Sequence, residues 1–237
     1  MKILNKVMLT SVVVLGSGLL VANAHAAENN TASTSATVAF QEDSGKTDPV
    51  SPTDPSKPLD PADPDNPGTG NTGTLTLDVA PKAFTFGPTA ASNNAMTIKA
   101  GNVASKQQYL QVSDKRTDIN GWQVKVKQDA PFASSDGSKL SGVTVSIPKG
   151  QAYNSLATPA TTPVTSGLNA SAVTTTDNID GSAASQNVFT ADDADQTGKS
   201  VSTDVWDPTN VELNVPRYTA KVGNFSTTLT WSLVAGA

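Results

Sequence analysis

The stretch whose residue types and spacing come nearest to metal chemistry is Asp193-x-Asp195-x-Thr197-Gly198, with Asp204 further along the chain. Alternating carboxylates ahead of a glycine are how a calcium loop wraps oxygen ligands around its ion. Here Thr197 stands where Asn or Asp is usual, Asp204 replaces a bidentate Glu, and no helical pattern flanks the loop. The stretch therefore reads as a solvated acidic loop, and no metal is expected. Glycan hydrolysis needs two carboxyl groups in defined geometry, one with a raised pKa. From Thr74 onward Asp is plentiful, but Glu212 is the single Glu and no pair is singled out. The chain has no cysteine, and its one histidine, His25, lies in an N-terminal leader. Without imidazole or thiol, an exported chain cannot build Ser-His-Asp triads, thiol nucleophiles, His/Cys zinc sites or disulfides. The expectation is a binding protein that is not an enzyme and carries no cofactor.

The remaining chemistry is aromatic, and strands must position it. In Gly121-Trp122-Gln123-Val124-Lys125-Val126, period-two alternation puts Trp122, Val124 and Val126 on one face and Gln123, Lys125 and Lys127 on the other. Leu229, Trp231 and Leu233 share a face in the same way near the C-terminus. Two readings stand for these rings: both strands pair in one sheet and form core, or the rings face a groove. Trp206, in Val205-Trp206-Asp207-Pro208, lies outside both strands and is expected to be the more exposed ring. Further alternating runs occur at 75–79, 84–86, 109–112, 143–147 and 211–215, rich in Thr, Val and aromatics and separated by Gly, Asn, Asp and Pro. No stretch carries a helical stripe. Residues 74–237 thus predict one all-β domain, a β-sandwich or barrel-like fold. Residues 151–200 are poor in apolar anchors and predict a long insert with, at most, short edge strands.

The domain is preceded by two segments of different composition. Lys2 and Lys6, an apolar run over 7–21, and Ala22, Ala24 and Ala26 make the three parts of a secretory signal peptide over residues 1–26. The run is about 15 residues, short of the roughly 20 needed to span a bilayer, and no second run of spanning length follows. Residues 27–73 hold eight acids and two lysines, a balance of −6, whereas 74–237 hold thirteen acids and twelve bases, a balance of −1. An acidic chain without basic clusters is a poor nucleic-acid ligand. Prolines at 49, 52, 55, 58, 61, 64 and 67 keep a strict period of three. That is the polyproline II repeat, so a stiff spacer on the order of 60 Å is expected at about 3.1 Å per residue. Ahead of it, residues 36–41 (ATVAFQ) alternate briefly and have strand character.

Val112-Ser113-Asp114-Lys115-Arg116 followed by Gly121-Trp122 resembles the first motif of the WxL domain family of Gram-positive cell-surface proteins. Val211-Glu212-Leu213-Asn214-Val215-Pro216 through Leu229-Thr230-Trp231-Ser232-Leu233 resembles the family's terminal motif. Gly73-Thr74-Leu75-Thr76-Leu77 and Phe84-Thr85-Phe86-Gly87 resemble its opening strands, so the likeness runs over 27–237. Val124 stands where the family has Leu and keeps an apolar group on that face. The resemblance implies a secreted protein held non-covalently on the cell wall, with peptidoglycan as ligand. Trp122, Val124, Trp231 and Leu233 are the implied motif residues, and Asp114, Arg116 and Trp206 are candidate accessories. It also implies other surface proteins of the same system and host extracellular matrix as further partners. Sugar rings present apolar C–H faces that aromatic side chains cover, while polar neighbours bond to hydroxyls, amides and carboxylates.

Overall fold

The computed structural model describes residues 31–236 apart from Asn102, Val103, Ile119 and Asp195. The leader over 1–26 lies outside the described residues. Two compact units are distinguished, Met1–Phe40 and Gln41–Ala237. Within the first, the described residues 31–40 are exposed and form no strand, so the strand character read at 36–41 gives no strand among the described residues.

The second unit is built from three four-stranded antiparallel sheets. One runs in the order β10 (Gln151–Asn154), β14 (Ser200–Trp206), β5 (Gln108–Asp114), β3 (Leu75–Val79). The next runs β11 (Leu168–Ala170), β13 (Gln186–Ala191), β6 (Trp122–Gln128), β16 (Leu229–Ala235). The third runs β12 (Val173–Thr174), β9 (Thr144–Ile147), β15 (Glu212–Val215), β4 (Met96–Lys99). Two short hairpins complete the set: β1 (Val50–Ser51) with β2 (Asp54–Pro58), and β7 (Phe132–Ala133) with β8 (Lys139–Leu140). The helical content of the described residues is one 3-10 turn, Pro208–Asn210, which Asp207 caps by accepting from the Thr209 N–H. The all-β architecture follows from side-chain alternation: in β6 every second residue is buried, with Trp122, Val124 and Val126 fully enclosed.

The seven residues of β5 are all buried, which a two-layer sandwich with one wet face does not produce. The outer face of this sheet is covered by the acidic proline segment. Val50 N–H donates to Gln111 Oε1 (2.8 Å), Gln111 Nε2 to the Asp48 carbonyl (3.1 Å), and Tyr109 Oη to the Val50 carbonyl (3.3 Å). Thr203 Oγ1 donates to the Pro52 carbonyl (2.6 Å). Beneath lies a small second core of Val79, Tyr109, Tyr153 and Val205. Asn66 is fully buried, donating to Asp63 Oδ2 and the Gln107 carbonyl and accepting from the Tyr109 N–H. Residues 48–66 are therefore a folded cover and not an extended rod. Gln111, Thr203 and Tyr109 offer polar groups at the right height, and bonding them outweighs the intrinsic preference of spaced prolines for a solvated helix.

Residues 151–200 also differ from the expected insert. They supply edge strands β10, β11 and β12, but also β13, which sits inside its sheet between β11 and β6. Val188 and Phe189 anchor it in the core. With Ala191, these few buried apolar residues suffice where neighbouring strands provide the rest of the packing.

Candidate functional site

The two tryptophan strands are neighbours in one sheet. β16 pairs antiparallel with β6, setting Leu233 opposite Val124, Trp231 opposite Val126 and Ala235 opposite Trp122. Of the two sequence readings, pairing in one sheet is thus observed, yet the two rings have different surroundings.

Trp122 is fully buried, meeting Phe189 edge-on with centroids 4.9 Å apart and donating its indole N–H to the Gly198 carbonyl (3.3 Å). A Cβ at Gly198 would come 2.4 Å from the Ala191 Cβ and 2.9 Å from the Trp122 indole nitrogen, so only glycine permits this approach. Val124 is equally enclosed. Trp122 and Val124 are core. Trp231 and Leu233 are half-buried and pack against the main core from outside.

Trp231 lies on the wall of an open groove of about 900 Å³. Phe84, Phe86, Phe225 and Leu229 line it with Trp231, as does Leu213 of β15. Phe84 and Phe86 are not in a strand, contrary to the sequence expectation. The backbone there runs beside the end of β4, where Gly101 N–H donates to the Thr85 carbonyl (2.9 Å). Alternation places both rings on the groove side, and the strand-like pattern is kept without a ladder. The charged side chains lining the groove are Lys82 and Lys221, both cationic. Both are exposed, and Lys221 donates to the Lys139 carbonyl (3.0 Å). Asn224, Ser226 and Thr228 add polar groups. An apolar, aromatic lining with two exposed cations suits a ligand with C–H faces and carboxylates, such as a glycan bearing acidic substituents.

The candidate accessory residues fall elsewhere. Asp114 is buried and gripped by Arg116 through two bonds of 2.9 Å, with Lys199 Nζ 3.7 Å away. Arg116 also donates to the carbonyls of Asn120 and Gly121, and Lys199 to those of Arg116 and Asp118. This cluster fastens the β5–β6 connection to the start of β14, and its charged groups are held by one another and by backbone carbonyls. Trp206, expected to be exposed, is 4 % exposed and belongs to the main core. It ends β14 in register with Gln108 of β5, inside the sheet, so its ring turns inward.

Asp193 is an exposed loop residue, Asp195 lies outside the described residues, and Asp204 is fully buried in β14. Among the described residues no group of three or more acids or histidines could hold a metal ion. Asp204 has a different interest: neither carboxylate oxygen has a hydrogen-bond partner among the described residues, and burial pushes its pKa up to about 7, with Lys149 pulling the other way. Gly150 lies against it, since a Cβ there would be 2.0 Å from Asp204 Oδ1. Asp78, also buried, is raised by desolvation but is partly compensated by Ser113, Thr76 and Gln111.

Sequence reasoning left a groove at the tryptophans open but missed the phenylalanines that line it with Trp231. The signal was present in Phe84-x-Phe86 and Phe225, which alternation alone assigns to core strands. Among the described residues no helix is long and apolar enough to cross a membrane. No curated protein and no solved structure matches the chain. A family model does match, over residues 27–236, and it is described as the WxL domain, surface cell wall-binding. This span includes the proline cover as well as the three sheets. The chain belongs to the WxL family of surface cell-wall-binding domains.

Proposed function

We propose that this cell-surface, wall-binding protein recognises peptidoglycan directly through the groove walled by Trp231, Phe84, Phe86 and Phe225, and that it acts without catalysis. One observation carries the reading: of the two motif tryptophans, the first is sealed in the core and the second stands on an open aromatic groove. The exposed cations of Lys82 and Lys221 fit a wall glycan whose lactyl and peptide groups carry carboxylates. Residues 1–26 act as the export leader, so the secreted chain begins near Ala27.

Co-sedimentation with purified Gram-positive sacculi tests this. Wild type pellets with the wall, and Trp231→Ala and Phe86→Ala pellet at least about tenfold less well while keeping the wild-type circular dichroism spectrum. Removing one ring takes away roughly 1.5–3 kcal/mol of apolar burial, enough for that loss. If folded wild type stays in the supernatant, peptidoglycan is not the direct ligand, and wall attachment runs through a partner surface protein.

A further inference from the structure

We infer that the free edge of β16 takes up residues 36–40 of a second copy of this chain as an added strand. β16 is the outermost strand of its sheet and pairs only with β6 among the described strands. Its seven residues, LTWSLVA, contain no charge and no proline, and its register with β6 is unbroken from Leu229 to Ala235. Edge strands are ordinarily blunted by charge, proline, bulges, shortness or a cover, because an open edge recruits other strands. The other edges here are blunted in those ways. β3 is bulged between Leu77 and Val79 and bridged by Gly68, and β4 ends on Lys99. β10, β11 and β12 have only four, three and two residues.

The unpaired groups of β16 face outward. The Thr228 carbonyl accepts from Asp129 N–H, and Gly236 N–H donates to the Gly121 carbonyl, so even-numbered positions aim at β6. Leu229, Trp231 and Leu233 therefore present their N–H and C=O groups to the open side. Their side chains lie on the groove face.

The chain also carries a segment with the alternation of a strand but no ladder among the described residues. In Ala36-Thr37-Val38-Ala39-Phe40, Val38 is 77 % and Phe40 is 90 % exposed, and neither joins a ladder. Alternation puts Ala36, Val38 and Phe40 on one face, so a strand added to β16 sets them beside Trp231 and Leu233. Thr37 and Ala39 then lie beside Ser232 and Val234. Residues 31–41 are uncharged, as is β16, so no repulsion opposes the pairing. Main-chain bonds supply affinity and alternate side chains supply register, as in other strand additions. Donor and acceptor are different patches, so the contact is head-to-tail and can propagate from copy to copy. A single short strand buries less than a standard interface. Association is therefore weak in dilute solution and grows where copies crowd on a surface. The inference does not depend on which ligand the groove takes, although strand and ligand would share the face of Trp231.

Because the natural chain has no cysteine, disulfide trapping reads this contact cleanly. Chains beginning at Ala27 and carrying Ala39→Cys are mixed with chains carrying Ser232→Cys under mild oxidant. The reference partner carries Ser182→Cys on an exposed loop. The mixed disulfide with Ser232→Cys is expected to form at least tenfold faster than with the reference. Adding Phe40→Asp to the donor should return it to the reference rate. Val234→Cys replaces Ser232→Cys if the latter does not fold. Equal rates with both partners overturn the inference. So does a concentration-independent intrachain disulfide in the Ala39→Cys/Ser232→Cys double variant, which would assign the segment to its own chain.

Discussion

Replacing Asp204 by Asn should change how stability depends on pH, and the structure sets both sign and ceiling. The carboxyl is fully buried in β14, has no hydrogen-bond partner among the described residues, and has its pKa pushed from an ordinary value near 3.8 up to about 7. The folded state therefore holds this proton more tightly than the unfolded chain. A group raised on folding contributes stability that is fully present below pH 3.8 and is lost as pH rises to about 7. At about 1.4 kcal/mol per pH unit, the ceiling for that loss is ~4 kcal/mol. For a domain of this size the corresponding change in melting temperature is roughly 8–16 °C. Other carboxylates titrate too, among them Asp63, which its hydrogen bonds hold below the usual range. The informative quantity is therefore the difference between wild type and variant. Thermal melts followed by circular dichroism at pH 4, 5, 6, 7 and 8 should show the two proteins close at pH 4. Asp204→Asn should then gain steadily on wild type up to pH 8. A difference that stays constant over that range would refute a buried, unpartnered carboxyl at this position.

Two further variants test the assignments of core and cover. Trp122→Ala should cost about 3–5 kcal/mol, because a fully enclosed ring and its contact with Phe189 are lost; urea unfolding measures it, and a cost below about 1 kcal/mol would place the ring outside the core. Asn66→Ala should cost about 1–3 kcal/mol in the same assay, since it orphans the Tyr109 N–H beneath the proline segment. A neutral result would mean that this segment is not part of the cooperative fold.

Much of the fold was legible because strands announce themselves locally. Period-two burial in β6, β9 and β15 follows directly from alternation in Trp122-x-Val124-x-Val126, Val145-x-Ile147 and Leu213-x-Val215. The kinship was legible as well, since motif residues at both ends of the chain carry it. Less legible was the segment from 48 to 66. Its proline spacing is a local property that favours an extended helix, while its bonds to Gln111, Tyr109 and Thr203 come from residues 59 to 151 positions away.

What the sequence by itself determined is therefore the β class, the identity of the alternating faces and the exclusion of thiol and disulfide chemistry. Each depends on residue type or on a spacing of two. Only the tertiary structure decided which of two equivalent tryptophan faces became core. Trp122 and Trp231 sit in strands of the same pattern, paired side by side. Trp122 is on an inner strand with β13 on its far side, and Phe189 and Gly198 close over it. Trp231 is on the edge, with no strand hydrogen-bonded on its far side among those described, and its ring lines the groove. Position within a sheet is set by long-range pairing, and no local pattern encodes it.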